Sequence, residues 1–151
     1  MRKRDSVRYV LTMTEEQARI VIAALDFLTR MRIGQWDELR HLCWNFGNTA
    51  GTPEYETKRN AIDEKLMEVR QIVMPDLPRN GSWGVYKFEN TERAFNILKA
   101  VRSAIAWHNN PQGGYEVIYD RPMAINVAEE MPKCEAMEDA KGHETADKVT
   151  A

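Results

Sequence analysis

Apolar and polar positions alternate at the start of the chain and then settle into a helical period. Val7, Tyr9 and Leu11 alternate with Arg8, Val10 and Thr12, which predicts a short strand with one apolar face. The pattern changes at Thr14. Thr14-Glu15-Glu16-Gln17 is a capping-box arrangement, in which the threonine oxygen accepts from an orphan amide, Gln17 reaches back, and the acids sit at the positive helix end. A helix is predicted from there to about Met31. Its middle, Ile20 to Leu25, is apolar around more than one face, so it is expected to be buried on two sides, either at the centre of the fold or at a subunit contact.

Gly34 permits a helix stop, after which Trp36, Leu39, Leu42 or Cys43, and Phe46 recur at helical spacing in a second helix. Gly47 to Gly51 reads as a loop. Thr52-Pro53 opens a third helix, with threonine as cap and proline in the first turn. That helix runs to about Val73, with Ile62, Leu66, Val69, Ile72 and Val73 on its predicted buried side. Met74 to Pro78 ends it, and the turn dipeptide Asn80-Gly81 leads into an extended Trp83-Gly84-Val85-Tyr86. Asn90 or Thr91 is placed to cap a fourth helix to about Trp107, with Phe95, Leu98, Val101 and Ile105 inward. A turn over Asn109 to Gly114 precedes a second predicted strand, Tyr115 to Tyr119.

These elements define an α+β fold, mostly helical with three to four helices, plus a small N-terminal antiparallel sheet. Strands at Val7 and Tyr115 are expected to pair within a chain or across a dimer axis, because so few strands make a poor sheet alone. Residues 1–126 read as one ligand-binding domain. From Val127 onward periodicity ends and seven acids face three lysines after Ala128, so residues 127–151 are expected to be an acidic tail without fixed structure.

Charge and cysteine usage narrow the function classes. A net charge of -2 and a pI near 6.0 give no field that would draw in a nucleic-acid backbone, so no DNA partner is expected. Cys43 and Cys134 lie far apart without CxxC or Cys/His spacing, which predicts no zinc site and a reducing compartment. The longest apolar stretch, Ile20 to Leu25, is far too short to cross a bilayer.

The candidate chemistry concentrates between Asn80 and Arg121, which hold seven of the thirteen aromatic residues, three arginines and five asparagines. Trp83, Tyr86, Trp107, Tyr115 and Tyr119 offer stacking surfaces, Arg93, Arg102 and Arg121 planar cations, and the amides hydrogen-bonding edges, a set that suits a nucleotide. Nothing in the chain has the spacing of a phosphate loop, a nucleophile elbow or a metalloprotease helix, and no catalytic residue, metal or cofactor is assigned. Each candidate also has an ordinary explanation. Trp83 can pack, Arg30 and Arg32 can complement a helix C-terminus, Arg102 can form a structural ion pair, and Arg121 can pair with Asp120 in a turn.

The run Ala24 to Trp36, the turn Asn80-Gly81-Ser82-Trp83-Gly84-Val85-Tyr86 and the block from Arg102 through Trp107 to Gly113-Gly114 together resemble a family of phage proteins. Those proteins defeat the bacterial Thoeris defence by sequestering its cyclic ADP-ribose-type signal. The resemblance spans about Val7 to Arg121 and implies a homodimer, able to assemble further to a hexamer, whose N-terminal strands meet across a two-fold axis. It implies two recessed pockets in the host cell cytoplasm that hold the signal, of the gcADPR type, without cleaving it, and cyclic oligonucleotides at separate sites. Arg30 matches the arginine ending the family's first helix, and Trp83 the aromatic after Asn-Gly-Ser; Tyr86, Arg102, Asn110 and Arg121 complete the candidate site. Met31-Arg32 departs from the small apolar residue and glycine of the family pattern. The alternatives are a helical adaptor or regulator that binds a host protein, and a phosphodiesterase acting on a cyclic nucleotide.

Overall fold

In the computed structural model the described residues are 9–43, 51–121 and 132–137. They form five α-helices: α1 (Glu15–Ile33), α2 (Glu38–Cys43), α3 (Pro53–Val73), α4 (Glu89–Asn109) and α5 (Tyr115–Asp120), with a 3₁₀ turn over Val85–Lys87. Helix α1 starts where its capping box requires. Gln17 donates its backbone N–H to Thr14 Oγ1 at 3.3 Å, and Thr14 N–H donates to Gln17 Oε1 at 2.9 Å. It ends at Gly34, whose φ of 91° lies in the left-handed region and whose amide closes the last turn on Arg30 and Met31. A Cβ there would also collide with the Leu77 side chain.

The core is built on α4, which buries ten residues including Ala94, Leu98, Ala100, Val101, Ser103 and Ala106. Helix α1 packs along it. Residues 19–26 of α1 lie beside 102–109 of α4, and the Ile33 carbonyl at the far end of α1 accepts from Trp83, just ahead of α4, so the two helices run antiparallel. Helix α5 folds back on α4 through Val117, and the 3₁₀ turn packs on the start of α4.

Five expectations are corrected. There is no strand among the described residues, so the fold is helical and carries no antiparallel sheet there. Tyr9, Val10 and Leu11 are exposed and irregular, and Val7 and Arg8 lie outside the described residues. Tyr115 to Tyr119 is helix α5: five residues are too few to separate period 2 from period 3.6, and the helix lets α4 bury Val117 without any sheet partner. Trp83 to Tyr86 is extended only as far as Gly84, where the 3₁₀ turn begins.

The last two corrections concern the buried face of α3 and the start of α4. On α3 the buried residue is Arg70, at 2% exposure, while Val69, Ile72 and Val73 are exposed, Ile72 at 80%. Arg70 donates to the carbonyls of Gly34 (2.9 Å), Gly81 (2.8 Å), Pro78 (2.8 Å) and Arg79, and these bonds turn its side of the helix inward. Helix α4 begins at Glu89 with Phe88 at the cap position, one turn of chain before Thr91, which is fully buried. Among the described residues no helix is long and apolar enough to cross a membrane.

Candidate functional site

A groove of about 560 Å³ lies between α1, α4 and α5. Helix α1 contributes Arg19 and Asp26, α4 contributes Arg102 and Asn109, and α5 contributes Tyr115 and Tyr119 to its lining. Gly113 and Gly114, with φ of 82° and 138°, turn the chain from α4 into α5 so that both tyrosines fall on the groove side. Their rings stack at 6.0 Å with 18° between planes, as residues four apart on a helix can.

Arg102 is the cation at the centre of this wall. Its Nε stands 2.9 Å from Asp120 Oδ1, and its guanidinium carbon lies 5.6 Å from the Tyr119 ring centre. Lys99 approaches the same residues from the buried side. It donates to the Tyr119 carbonyl at 2.6 Å and reaches Asp120 Oδ1 at 3.5 Å, with its ammonium 5.1 Å from the Tyr119 ring. Lys99 and Asp120 were not foreseen as site residues; the only sequence signal was the pair of cations three apart on α4, which places them on neighbouring faces.

The six predicted residues do not gather in one place. Arg102 lines the groove, and Asn110, which is outside the lining, is tied to it only through its Nδ2, which donates to Glu116 Oε2 of α5 at 2.9 Å. Arg30, Trp83, Tyr86 and Arg121 do not line it. Arg30 is held at the α1–α2 corner by Asp26 (2.7 Å), Gln35 (3.1 Å) and Glu38 (3.0 Å). The Asp26 hydrogen bond raises its pKa above the ordinary arginine value, against the opposing effect of burial. Since Asp26 lines the groove, Arg30 stands behind that wall and fixes one of its carboxylates.

Trp83 is a packing residue in this structure. Its ring meets Phe88 edge-on at 5.3 Å and 76°, Lys87 lies 5.8 Å from it, and its backbone N–H donates to Ile33 at 2.8 Å. Tyr86 is exposed on the 3₁₀ turn. Arg121 follows α5 and is exposed, and Asp120, its alternative partner in a turn, is paired with Arg102 and Lys99.

Among the described residues the groove lining contains no serine, threonine, cysteine, histidine or lysine, and its carboxylates are engaged: Asp26 with Arg30, Asp120 with Arg102, Glu116 with Asn110. Such a set can stack, pair charge and hydrogen-bond. No family model, curated protein or solved structure matches this chain.

Proposed function

We propose that the protein binds a cyclic ADP-ribose-type signalling nucleotide of the gcADPR kind and holds it unaltered, acting in the host cell cytoplasm as a phage counter-defence sponge against Thoeris. The observation that carries this reading is Arg102 beside the stacked Tyr115 and Tyr119 on the wall of a 560 Å³ groove. That volume lies within the range of small-molecule sites, roughly 300–1,000 Å³. An aromatic pair for a base and a guanidinium for a phosphate are the two contacts a nucleotide needs most. The lining offers no nucleophile with a base, which favours retention over cleavage.

The ligand site is thereby moved from the Arg30–Trp83 corner to the α1–α4–α5 groove, with Arg102 kept and Asn110 reduced to holding Glu116 of the lining. A sponge that outcompetes a host sensor needs binding near nanomolar, about -12 kcal/mol. Enclosure strengthens arginine–phosphate contacts by excluding water, so a second subunit over the groove would add affinity. The exposed apolar residues Ile20 and Leu28 of α1 support such a homodimer. The proposal does not need an N-terminal sheet.

The test is incubation of the protein with the signal, removal of unbound nucleotide, heat denaturation and chromatography of the supernatant. Stoichiometric recovery of intact signal is expected, and Arg102→Ala should reduce uptake by about tenfold or more, ~1.4 kcal/mol per decade. Recovery of cleaved product, or no uptake, would overturn it. One observation favours the adaptor reading instead: α3 leaves Val69, Ile72 and Val73 exposed. A host protein bound stoichiometrically through α3, with no nucleotide raising the melting temperature, would decide for it.

A further inference from the structure

The charges on the groove do not favour an anion as they stand. Its lining holds two arginines, Arg19 and Arg102, against three carboxylates, Asp26, Glu116 and Asp120. A dianionic ligand would meet a net negative wall unless one carboxylate gave way. Asp26 is fixed by Arg30, which has three acceptors of its own, and Glu116 is fixed by Asn110. Asp120 is the one with a choice, because two cations converge on its Oδ1: Arg102 at 2.9 Å and Lys99 at 3.5 Å.

We propose that Asp120 is an internal counter-ion, which neutralises Arg102 in the empty groove and hands that arginine over to the phosphate oxygens of an anionic ligand. This inference rests on the groove being the ligand site. Three features make the exchange inexpensive. First, Arg102 engages Asp120 through Nε, and its two Nη groups have no acceptor among the described residues, so an incoming phosphate can approach the outer edge before the ion pair breaks. Second, Asp120 is the last residue of α5, and α5 stays docked through buried Val117, the Lys99 bond to the Tyr119 carbonyl and the Asn110–Glu116 bond. Releasing Arg102 therefore needs a side-chain rotation and no unfolding. Third, Lys99 remains beside Asp120 afterwards. The Asp120 side chain is 15% exposed, where a carboxylate without a cation would be costly, and the Lys99 side chain, 9% exposed, is already in place to keep it.

The Arg102 side chain, at 34% exposure, is the member of the cluster that a ligand can reach. Lys99 does not line the groove. The two cations thus have separate tasks, one to hold the internal carboxylate and one to take the external phosphate.

The proposal makes an unusual prediction of sign: removing the Asp120 carboxylate should strengthen binding of a phosphate anion. Calorimetry with inorganic pyrophosphate and with ADP-ribose, adenosine serving as the uncharged control, would compare the wild type with Asp120→Asn. The variant is expected to bind both anions about tenfold more tightly, ~1.4 kcal/mol, with adenosine unchanged. Asp120→Asn also raises local charge, so Lys99→Met/Asp120→Asn is the decisive companion. It has the same net charge at the cluster as the wild type but leaves Arg102 unclaimed, and it too should bind more tightly. Should Asp120→Asn alone lose helicity by circular dichroism, Asp120→Ala, which keeps the Lys99 bond to the Tyr119 carbonyl, carries the test. Arg102→Gln on the Asp120→Asn background should erase the gain.

Equal or weaker anion binding in the folded Asp120 variants, or a gain that survives loss of Arg102, would overturn the counter-ion role. If the variants gain pyrophosphate affinity while the wild type ignores the cyclic nucleotide, the sponge reading falls and the counter-ion role stands. If the wild type captures the nucleotide and the variants gain nothing, the reverse holds.

Discussion

Arg70 and Gly34 lie 36 residues apart in the chain and are joined by a 2.9 Å hydrogen bond from the arginine guanidinium to the glycine carbonyl. The same guanidinium collects the carbonyls of Pro78, Arg79 and Gly81, so one side chain ties the end of α1 and the segment after α3 to α3 itself. Its positive charge is dispersed over carbonyl dipoles, with no carboxylate among these acceptors. Replacing Arg70 with Met would leave those carbonyls short of a donor inside the protein, at a cost of about 3 kcal/mol. A thermal melt should fall by roughly 10 °C. Arg70→Lys should recover little, since an ammonium cannot span four acceptors in one plane. Unchanged melting in both variants would show that the staple is not stabilising.

Gly34 presents the complementary test. Its φ of 91° is a conformation that L side chains rarely adopt, and a Cβ would strike Leu77, which is buried at the same junction. Gly34→Ala is expected to cost about 1–2 kcal/mol from the backbone conformation alone, with the Leu77 clash added. The loss should appear in chemical denaturation as a lower midpoint with an unchanged slope.

Local signals in the sequence carried well into the structure, and long-range ones did not. Thr14, Thr52 and Gly34 bound their helices as expected, because caps depend on the few residues beside them. Leu98 and Val101 are buried on α4 as the periodicity required, while Phe95 and Ile105 are partly covered. The face of α3 was misread because apolar periodicity could not announce that an arginine would be turned inward by four carbonyls distant in sequence. Tyr115 to Tyr119 was misread because alternation over five residues also fits a helix with Val117 at its centre. Of the groove lining, Arg102 stood out by residue type; Asp120 as the partner of Lys99, 21 residues away, did not.

Arg30 and Arg102 should separate under substitution. All the groups around Arg30 are its own chain's acceptors, Asp26, Gln35 and Glu38, and its side chain is over a third exposed. Arg30→Ala should therefore lower stability by under about 1 kcal/mol, the range of partly solvated ion pairs. It should leave nucleotide affinity within about threefold of wild type, ~0.7 kcal/mol, whereas Arg102→Ala loses tenfold or more. Paired melts and titrations of the two variants would check this. A larger binding loss for Arg30→Ala would return the ligand to the α1–α2 corner.

Cys134 reports on the segment that lies beside α4. Residues 132–137 run along a crevice to which Ser103, Ala104 and Trp107 contribute, and desolvation there, with the neighbouring Glu135 charge, pushes the Cys134 thiol above its ordinary pKa. A raised thiol pKa means less thiolate at any pH below it, so alkylation is slowed, and the nucleophile that reacts is the thiolate. At pH 8 iodoacetamide should modify Cys134 more slowly in the folded protein than in urea, as read from the mass of the peptide that contains it. The difference should shrink as pH rises past the folded value, where both states are ionised. Equal rates in the two states at pH 8 would mean that the segment does not rest on α4 in solution.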